Sequence, residues 1–235
     1  MKQVIILFGA PGAGKGTQAE LLADKLNLYY LETSKILEQS FQGAEEISGN
    51  KQFIEEDGER YDILNEKKLW LEGVLCDPPF VVHLVRKKIN ELFEEGKNLI
   101  MAGSPRTIYE AEKVIPILKG LYGLENVKVI LIDISPEETM FRNSHRRICQ
   151  LMRHPILYNE ETKDLDICPL DGSKLIRRKG LDDPETIKVR LKEYKERTYP
   201  VLEIFKKEGL KIDKINGEQT VANVFEDILK AIKKN

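Results

Sequence analysis

The order of hydrophobic and polar positions along the chain predicts strands that alternate with helices. Short apolar runs bounded by glycine, proline or charged residues are typical of buried strands, while apolar positions three and four residues apart are typical of amphipathic helices. Five segments have the strand pattern: Val4–Phe8, Leu28–Leu31, Asn98–Ala102, Val127–Ile134 and Leu210–Ile215. Because helical patterns separate them, we expect right-handed crossovers and one parallel sheet covered on both faces.

Helical spacing predicts most of the connections between these strands. A cap at Thr33–Ser34 precedes a helix that starts near Lys35, and Asp183–Pro184 begins a long helix that runs to Lys207 with a kink at Pro200. The other predicted helices are Thr17–Leu26, Glu66–Gly73, Phe80–Gly96, Ile108–Leu118, one capped by Ser135 that runs into Arg142, and Val221–Lys233.

A glycine-rich turn joins the first predicted strand to the first predicted helix. Its glycines let successive backbone N–H groups face one concavity, and the following helix aims its positive end at the same point. Lys15 adds a mobile charge, and after Gly16 comes the hydroxyl of Thr17, one position later than in the general pattern. These features predict a phosphate-binding loop, with a turn that binds no ligand as the alternative. The loop comprises Gly9, Ala10, Pro11, Gly12, Ala13, Gly14, Lys15, Gly16 and Thr17.

Length and composition are those of a soluble globular protein. With 235 residues, 41% of them hydrophobic and 32% charged, the chain can form one domain with insertions or two small domains. The apolar runs are too short to cross a bilayer, no targeting segment precedes the first strand, and three cysteines are too few for a disulfide scaffold. We therefore expect a cytoplasmic monomer without a membrane partner, and the net charge of −2 gives no reason to expect nucleic acid.

Two stretches lack regular periodicity, and the charge is distributed unevenly over the same parts of the chain. Residues 42–64 have a weak pattern typical of an insertion or a surface hairpin, and residues 38–66 carry a net charge of −7. Residues 148–181 have no regular pattern, and residues 140–179 carry a net charge of +4. The second stretch therefore favours anionic phosphates, whereas the first is interpreted as a solvated surface.

Five motifs follow one another over nearly the whole chain: GAPGAGKGTQA, ETSKILE, GSPRTIYEAE, RRIC and DDPETIKVRLKEYKERTYP. Together they resemble the motifs of the adenylate kinase family of nucleoside monophosphate kinases. The resemblance implies an α/β fold of the P-loop NTPase type, with a five-stranded parallel sheet flanked by helices. It also implies transfer of the terminal phosphoryl group of ATP, bound with Mg²⁺, to a nucleoside monophosphate. The implied parts are a core (1–32, 100–139 and 182–235), a helical acceptor arm (33–99) and a lid (140–181).

The resemblance assigns roles to separate arginines, which phosphoryl transfer requires because the charge on the transferring oxygens must be neutralised. It implies that Arg106 clamps the acceptor phosphate, Arg142 stacks on the donor base and Arg146 grips phosphates. Arg178 matches the lid arginine and Arg190 the one that reaches the transferring group. With Lys15, these residues are the candidate catalytic and phosphate-binding set. The implied ATP-binding residues also include Gly217 and Gln219, and the implied acceptor-binding residues are Thr33, Lys35, Leu37, Leu75, Gly103, Arg106 and Glu110.

Several positions depart from the family pattern on the acceptor side. Lys35 stands where the family has an aspartate, and Glu38 where it has an arginine, so Lys35 is a candidate substitute for a missing phosphate donor. Glu110 replaces a glutamine that reads the adenine of AMP. An ionised carboxylate accepts hydrogen bonds but cannot donate them, so the preferred base is open. Ala102 replaces an aspartate that organises the waters of Mg²⁺, and Asp133 either compensates for it or has a capping or structural role.

A zinc site in the lid is a further implication of the resemblance. Some members of the family hold a structural zinc ion with two pairs of ligands, and the matching positions here are Cys149, Met152, Cys168 and Asp171. Thiolate and carboxylate suit zinc and thioether does not, so His154 is the candidate fourth ligand. The alternative is a knuckle of the same shape held by packing alone.

The sequence thus favours an ATP-dependent nucleoside monophosphate kinase with AMP as the default acceptor. Alternatives left open are a kinase for another acceptor, such as UMP or CMP, and a nucleotide-binding regulator of the same fold that has lost turnover. Ala102 and Glu38 support the regulator. Basic residues predicted on both sides of the transferring phosphoryl group support the enzyme.

Overall fold

A computed structural model describes residues 2–46, 52–153, 155–178 and 182–233. The strands are β1 (Val4–Phe8), β2 (Tyr29–Glu32), β3 (Phe53–Glu56), β4 (Glu59–Asp62), β5 (Leu99–Ala102), β6 (Val127–Asp133), β7 (Arg147–Cys149), β8 (Pro155–Ile156), β9 (Leu175–Ile176) and β10 (Ile212–Asn216). The helices are α1 (Lys15–Leu26), α2 (Thr33–Glu46), α3 (Ile63–Leu71), α4 (Pro78–Glu94), α5 (Ile108–Tyr122), α6 (Pro136–His145), α7 (Pro184–Glu193), α8 (Val201–Lys207) and α9 (Val221–Lys233).

The central sheet has five parallel strands in the order β10-β6-β1-β5-β2. The predicted parallel sheet is therefore confirmed. Because the strands run in one direction, their carboxyl ends meet at one edge, where ligands bind in open α/β sheets. At that edge Glu32 of β2 is paired in register with Ala102 of β5.

The core consists of two apolar layers, one on each face of the sheet. Val4, Ile6 and Phe8 of β1 face the layer formed with α4, α5 and α8. Ile5 and Leu7 face the layer formed with α1 and α9. Alternate residues of this strand are thus buried on opposite faces, which explains why it is apolar without interruption.

The 33–99 segment combines helices α2, α3 and α4 with an antiparallel hairpin, β3–β4. The hairpin lies within the stretch predicted as an insertion or a hairpin, while residues 47–51 lie outside the described residues. The carboxylate of Glu56 in β3 is buried and accepts hydrogen bonds from Arg86 (2.7 Å) and from His83 Nδ1 (3.0 Å) of α4. The segment expected to be helical therefore includes a hairpin, which buried polar contacts hold against α4.

The 140–181 segment contains a small antiparallel sheet in the order β8-β7-β9. The prediction of no regular structure after Ile148 was wrong, because strands of two or three residues are too short to leave a periodic pattern. The long helix predicted from residue 183 to 207 is divided at a π-helical turn, Tyr194–Thr198, where Tyr199 N donates to Tyr194 O at 2.7 Å. The break precedes Pro200, whose ring cannot fit a continuous helix.

Some predicted boundaries moved by a few residues. Helix α5 continues to Tyr122, beyond Leu118 and past Pro116, while the last strand begins at Ile212 and ends at Asn216. Helix ends fray, and local patterns locate them poorly. Among the residues that the structure describes, no helix is both long and apolar enough to cross a membrane.

Candidate active site

The glycine-rich loop lies at the carboxyl edge of the sheet, between β1 and α1. A Cβ at Gly9 would lie 2.3 Å from Ile132 O, and one at Gly12 would lie 2.6 Å from Asn143 Nδ2, so both positions require glycine. No side chain caps the first turn of α1, and that turn has no acidic residue. The helix therefore presents its positive end and its N–H groups to the loop, as an anion site requires.

Lys15 folds back over this loop. Its Nζ donates to Gly9 O at 2.7 Å and to Ala10 O at 2.8 Å. Burial lowers the pKa of Lys15 well below its ordinary value, and the charges of Arg106, Arg190 and Arg146 lower it further. The lysine thus lies where positive charges from several segments meet.

Three of the predicted arginines converge on one carboxylate, that of Asp182, whose side chain is 1% exposed. Arg178 donates to both of its oxygens, from Nε at 3.0 Å and Nη2 at 2.7 Å. Arg146 Nη2 lies 3.4 Å and Arg190 Nη1 3.9 Å from Asp182 Oδ1. Three positive charges around one negative charge leave a formal excess of +2. This arginine cluster, defined as Arg146, Arg178 and Arg190, is therefore complementary to a phosphate group.

Burial and mutual repulsion lower the pKa values of two arginines in the cluster. Burial and the neighbouring charge of Arg178 lower the pKa of Arg146 to about 10. Burial, then Arg178 and Arg146, lower the pKa of Arg190 to about 9. Both side chains remain charged at neutral pH. An anion between them would relieve the repulsion that lowers these pKa values.

Arg106 forms a second polar site with Gly103 and Thr33. A Cβ at Gly103 would lie 3.1 Å from Arg106 Nη2 and 3.4 Å from Thr33 Oγ1. The hydroxyl of Thr33 is buried and has no hydrogen-bond partner among the described residues. The predicted cap at Thr33 was therefore wrong, since its Oγ caps nothing and Thr33 is itself the first residue of α2. A buried, unpaired hydroxyl next to a guanidinium can bind an anion.

Glu110 holds the loop that carries Arg106. Its carboxylate accepts hydrogen bonds from Ser104 Oγ (2.9 Å), Arg106 N (2.9 Å) and Thr107 Oγ1 (3.2 Å). Its backbone N–H in turn donates to Thr107 Oγ1 at 3.2 Å, so that Thr107 caps the start of α5. Burial raises the pKa of Glu110, while these donors and the charge of Arg106 oppose the rise. The contacts therefore give Glu110 a role in positioning Arg106.

One cavity of about 140 Å³ joins the two sides. Its lining includes Lys15, Thr33, Leu37, Leu75, Gly103, Arg106, Glu110, Arg178 and Arg190. The volume is below the roughly 300–1,000 Å³ typical of small-molecule pockets, so the cavity is narrow. Most of the residues predicted for phosphate and acceptor binding thus lie around one narrow space.

Comparison with known proteins identifies the family. The sequence pattern described as "Adenylate kinase" matches residues 7–210. The chain belongs to the adenylate kinase family. It is 34% identical over 235 residues to an adenylate kinase of Methanocella arvoryzae, covering 97% of this chain and 98% of the relative. It is 31% identical over 231 residues to one of Caldicellulosiruptor saccharolyticus (97% and 98%) and 31% identical over 236 residues to one of Elusimicrobium minutum (98% and 99%). Like the rest of the family, the chain is an ATP-dependent nucleoside monophosphate kinase, and the family generally uses Mg²⁺ with ATP.

The residues that the family resemblance assigned to the donor base also meet in space. Arg142 Nη2 donates to Gly217 O at 2.9 Å, and its Nε donates to Glu138 at 2.5 Å. A Cβ at Gly217 would lie 2.7 Å from Ile134 Cγ2, so the loop after β10 packs directly on the end of β6. Gln219 Nε2 donates to Asn216 O at 2.8 Å, which keeps this side chain within the same loop.

The possible adenylate kinase metal site is partly assembled. Ligand atoms of Cys149, Cys168 and Asp171 all lie within 4.8 Å of one another, and Cys149 Sγ lies 3.0 Å from Asp171 Oδ2. Met152 is 62% exposed, in agreement with its exclusion as a ligand. His154, the predicted fourth ligand, lies outside the described residues.

Sequence reasoning missed three polar residues at this adenylate kinase site. Asp182 stood next to the predicted helix cap Asp183 and was interpreted only as part of that boundary. Glu193 of α7 accepts hydrogen bonds from Leu75 N (3.1 Å) and Arg197 Nη1 (2.9 Å), which join the 33–99 segment to α7. Glu32 lines the cavity and pairs with Lys35 Nζ at 3.2 Å. Only the local run of acidic residues at 182–183 was a signal in the sequence.

Proposed function

We propose that the protein is an adenylate kinase that reversibly transfers the terminal phosphoryl group of ATP to AMP and gives two molecules of ADP. The observation that carries the proposal is the arginine cluster near Lys15 and Arg106, whose excess charge is balanced when phosphates enter. Phosphoryl transfer needs two anionic nucleotides aligned and little other chemistry from the protein. A protein that only bound ATP would not need donors on both sides of the transferring group.

The proposed roles follow the position of each side chain. Lys15 and the loop 9–17 bind the donor phosphates, while the arginine cluster stabilises charge on the transferring phosphoryl group. Arg106 and Thr33 bind the acceptor phosphate. Arg142 and Gly217 form the donor-base site. Segments 33–99 and 140–181 act as the acceptor arm and the lid, and their closure excludes water that would otherwise hydrolyse ATP.

The acceptor base is proposed as adenine, with other bases as alternatives. Leu37, Leu75 and Val81 line the cavity and offer an apolar surface to a base. The Glu110 carboxylate accepts three hydrogen bonds from its own loop, which supports a positioning role and leaves base selection to other groups. UMP or CMP as the acceptor would fit the same phosphate-binding residues.

We propose that Glu32 takes the place of the aspartate that Ala102 replaces. Glu32 is the register partner of Ala102 at the carboxyl edge of the sheet, and it lines the cavity. Its carboxylate and the hydroxyl of Thr17 are the hard oxygen donors that suit Mg²⁺. Bound with ATP, this ion would neutralise phosphate charge. Asp133 instead pairs with Lys214 Nζ at 2.8 Å, which supports the structural role for that residue.

The magnesium proposal is tested with Mn²⁺ as a paramagnetic substitute. Glu32→Gln should weaken Mn²⁺ binding to the protein–ATP complex severalfold in electron paramagnetic resonance titrations, because the neutral amide is a weaker partner for the ion and its waters. Glu112→Gln changes an exposed carboxylate of α5 and is the matched control. Equal Mn²⁺ affinity in both variants would contradict the role of Glu32.

For the lid we propose a structural zinc held by Cys149, Cys168 and Asp171, with His154 as the fourth ligand. Two thiolates and a carboxylate gathered within 4.8 Å support this donor set. Purified protein should contain about one zinc per chain by elemental analysis, and Cys149→Ser should lose it while Cys76→Ser retains it. Protein that neither contains zinc nor takes it up would rule the site out. Monomeric state and cytoplasmic location stay predictions.

The proposed reaction is tested by a coupled assay of ADP formation with ATP, Mg²⁺ and a panel of AMP, GMP, CMP, UMP and dTMP. We expect AMP to have the highest kcat/KM. A higher kcat/KM for another monophosphate would change the acceptor. Absence of transfer to every member of the panel, with ATP binding intact by calorimetry, would instead identify a nucleotide-binding regulator.

A further inference from the structure

An ion pair connects the lid to the acceptor arm across the cavity. Arg153, in the loop after β7, has its Nη2 3.6 Å from Oε1 of Glu38 in α2. Both residues line the same cavity as Arg106 and Thr33. A guanidinium from the lid is therefore present on the side of the cleft where the acceptor phosphate is proposed to bind.

The pair is loose enough to exchange partners. Its separation exceeds the 2.7–2.9 Å of a charge-assisted hydrogen bond, and the two side chains are 56% and 26% exposed. Ion pairs of this kind contribute little stability, so releasing Glu38 costs Arg153 little. The backbone of Arg153 has φ +60°, a conformation that is uncommon for a residue with a side chain. The loop thus holds a strained arginine at the mouth of the cavity.

Charge balance explains why this end of the cavity needs another cation. Glu32 and Glu38 both line it, and their negative charges oppose a phosphate that would lie near Arg106. Glu38 stands on the acceptor arm where a cation would be expected to assist Arg106. When the lid is closed, Arg153 neutralises Glu38 and brings a planar guanidinium with several donors.

We propose that Arg153 is a second ligand of the acceptor phosphate, carried into the site by the lid, and that it exchanges its pairing with Glu38 for the phosphate. The inference rests on the proposed kinase function. It has a thermodynamic consequence: if the acceptor phosphate binds a lid residue, acceptor binding favours lid closure, and lid closure tightens acceptor binding by the same factor. The acceptor site of this chain is complete only when the lid is closed.

The test separates acceptor affinity from donor affinity. Arg153→Ala should raise KM for AMP about tenfold or more while KM for ATP changes less than twofold, because one charge-assisted contact to the acceptor is lost. Glu38→Gln should lower KM for AMP, since it removes both a competing partner and a repulsive charge. Lys163→Ala, which removes a lid cation paired with Glu160 on the surface, is the matched control and should change neither value.

A double variant provides the decisive measurement. Arg153→Ala combined with Glu38→Arg supplies a guanidinium from the arm instead of the lid, and should return KM for AMP to within a few-fold of the wild type. Binding can be followed without turnover, because the single tryptophan of the chain, Trp70, lines the cavity and reports AMP by its fluorescence. Circular dichroism melting shows whether each variant is folded.

The outcomes distinguish this inference from the proposed function. If the wild-type protein showed no transferase activity, the proposed function itself would be wrong. Active wild type together with an unchanged AMP affinity in Arg153→Ala, or an equal rise of KM for ATP, would overturn the role of Arg153 alone. Failure of Glu38→Arg to restore AMP affinity in a folded double variant would also overturn it. If Arg153→Ala does not fold, Glu38→Gln provides the test instead. An AMP affinity in Glu38→Gln that is unchanged or weaker than in the wild type would then overturn the role of Arg153.

Discussion

The donor and acceptor sides of the cleft balance charge in different ways. On the donor side, Lys15 and the arginine cluster give a strong positive excess that a single buried carboxylate, Asp182, partly offsets. On the acceptor side, Arg106 faces a lining that includes Glu32, Glu38 and Glu110. The proposed donor side gathers its cations around one carboxylate, whereas the proposed acceptor side has several carboxylates near Arg106.

This difference matches the sequence: the chain retains the family's residues on the proposed donor side and departs from them mainly on the proposed acceptor side. The proposed donor-phosphate site consists of backbone N–H groups and of largely buried arginines that share one carboxylate, so a change at one position disturbs the others. Acceptor contacts come from separate surface segments, and a lost cation can be replaced from elsewhere. Arg153 is the proposed replacement for that cation, and Glu32 is the proposed replacement for the aspartate that Ala102 replaces. The variants below test this contrast, from the largest expected effect to the smallest.

Asp182→Asn should have the largest effect on stability. It leaves three guanidiniums without their buried counter-charge, and removing one partner from a buried ion pair costs about 3–5 kcal/mol. We expect a lower free energy of unfolding by denaturant, with partial recovery on adding pyrophosphate as a substitute anion. Asp183→Asn alters the adjacent exposed carboxylate and is the control. Equal stability of the two variants would show that Asp182 does not balance the cluster.

Lys15→Ala should lower kcat/KM by about 100- to 1,000-fold, because a preorganised donor to the transferring phosphate is lost. Lys25→Ala removes an exposed lysine from the last turn of the same helix and should leave the rate unchanged. Steady-state kinetics with saturating AMP measures the difference. Full activity in Lys15→Ala would show that the loop binds phosphate without its lysine.

Gly73→Ala tests the contact between the acceptor arm and α7. A Cβ there would lie 2.7 Å from Thr186 Cγ2 and 3.1 Å from Arg190 Cγ, in a backbone with φ +83°. We expect a loss of about 1–3 kcal/mol in stability and a higher KM for AMP. Gly96→Ala has a similar φ of +70° but meets no atom within 4 Å, so it isolates backbone strain from the clash. Similar losses in both variants would mean that the arm does not pack closely on α7.

Glu66 gives the acceptor arm a pH dependence. Burial raises the pKa of this carboxyl from 4.5 to about 7, although its hydrogen bond from Asp77 N (2.8 Å) opposes the rise. The unfolded chain therefore ionises first, and stability falls as the pH rises from about 4.5 to 7, by about 1–2 kcal/mol. In Glu66→Gln the free energy of unfolding should depend less on pH over this range, as measured by denaturant titrations at several pH values. An unchanged slope would assign the pH dependence to other groups.

Much of the fold could be predicted from the sequence because strands buried on both faces produce long apolar runs, as β1 and β6 do. The glycine-rich loop could also be predicted, because its backbone geometry requires glycines at fixed positions. The small sheet of the lid was not, because its strands have two or three residues each. Glu193 was missed because its partner Leu75 is more than one hundred residues away, and no local spacing encodes such a pair. Asp182 was missed because three arginines from different segments meet at it only in the folded chain.

Glu193 links the 33–99 segment to α7 by a direct hydrogen bond. It ends α7 just where the helix widens, and its carboxylate accepts a hydrogen bond from the backbone of Leu75 in the acceptor arm. Arg190 lies one turn earlier on the same helix. We therefore expect outward movement of the 33–99 segment to displace α7 together with Arg190, with the π-helical turn as the place where the helix bends. In the proposed reaction, release of the acceptor would then weaken the hold on the donor phosphates.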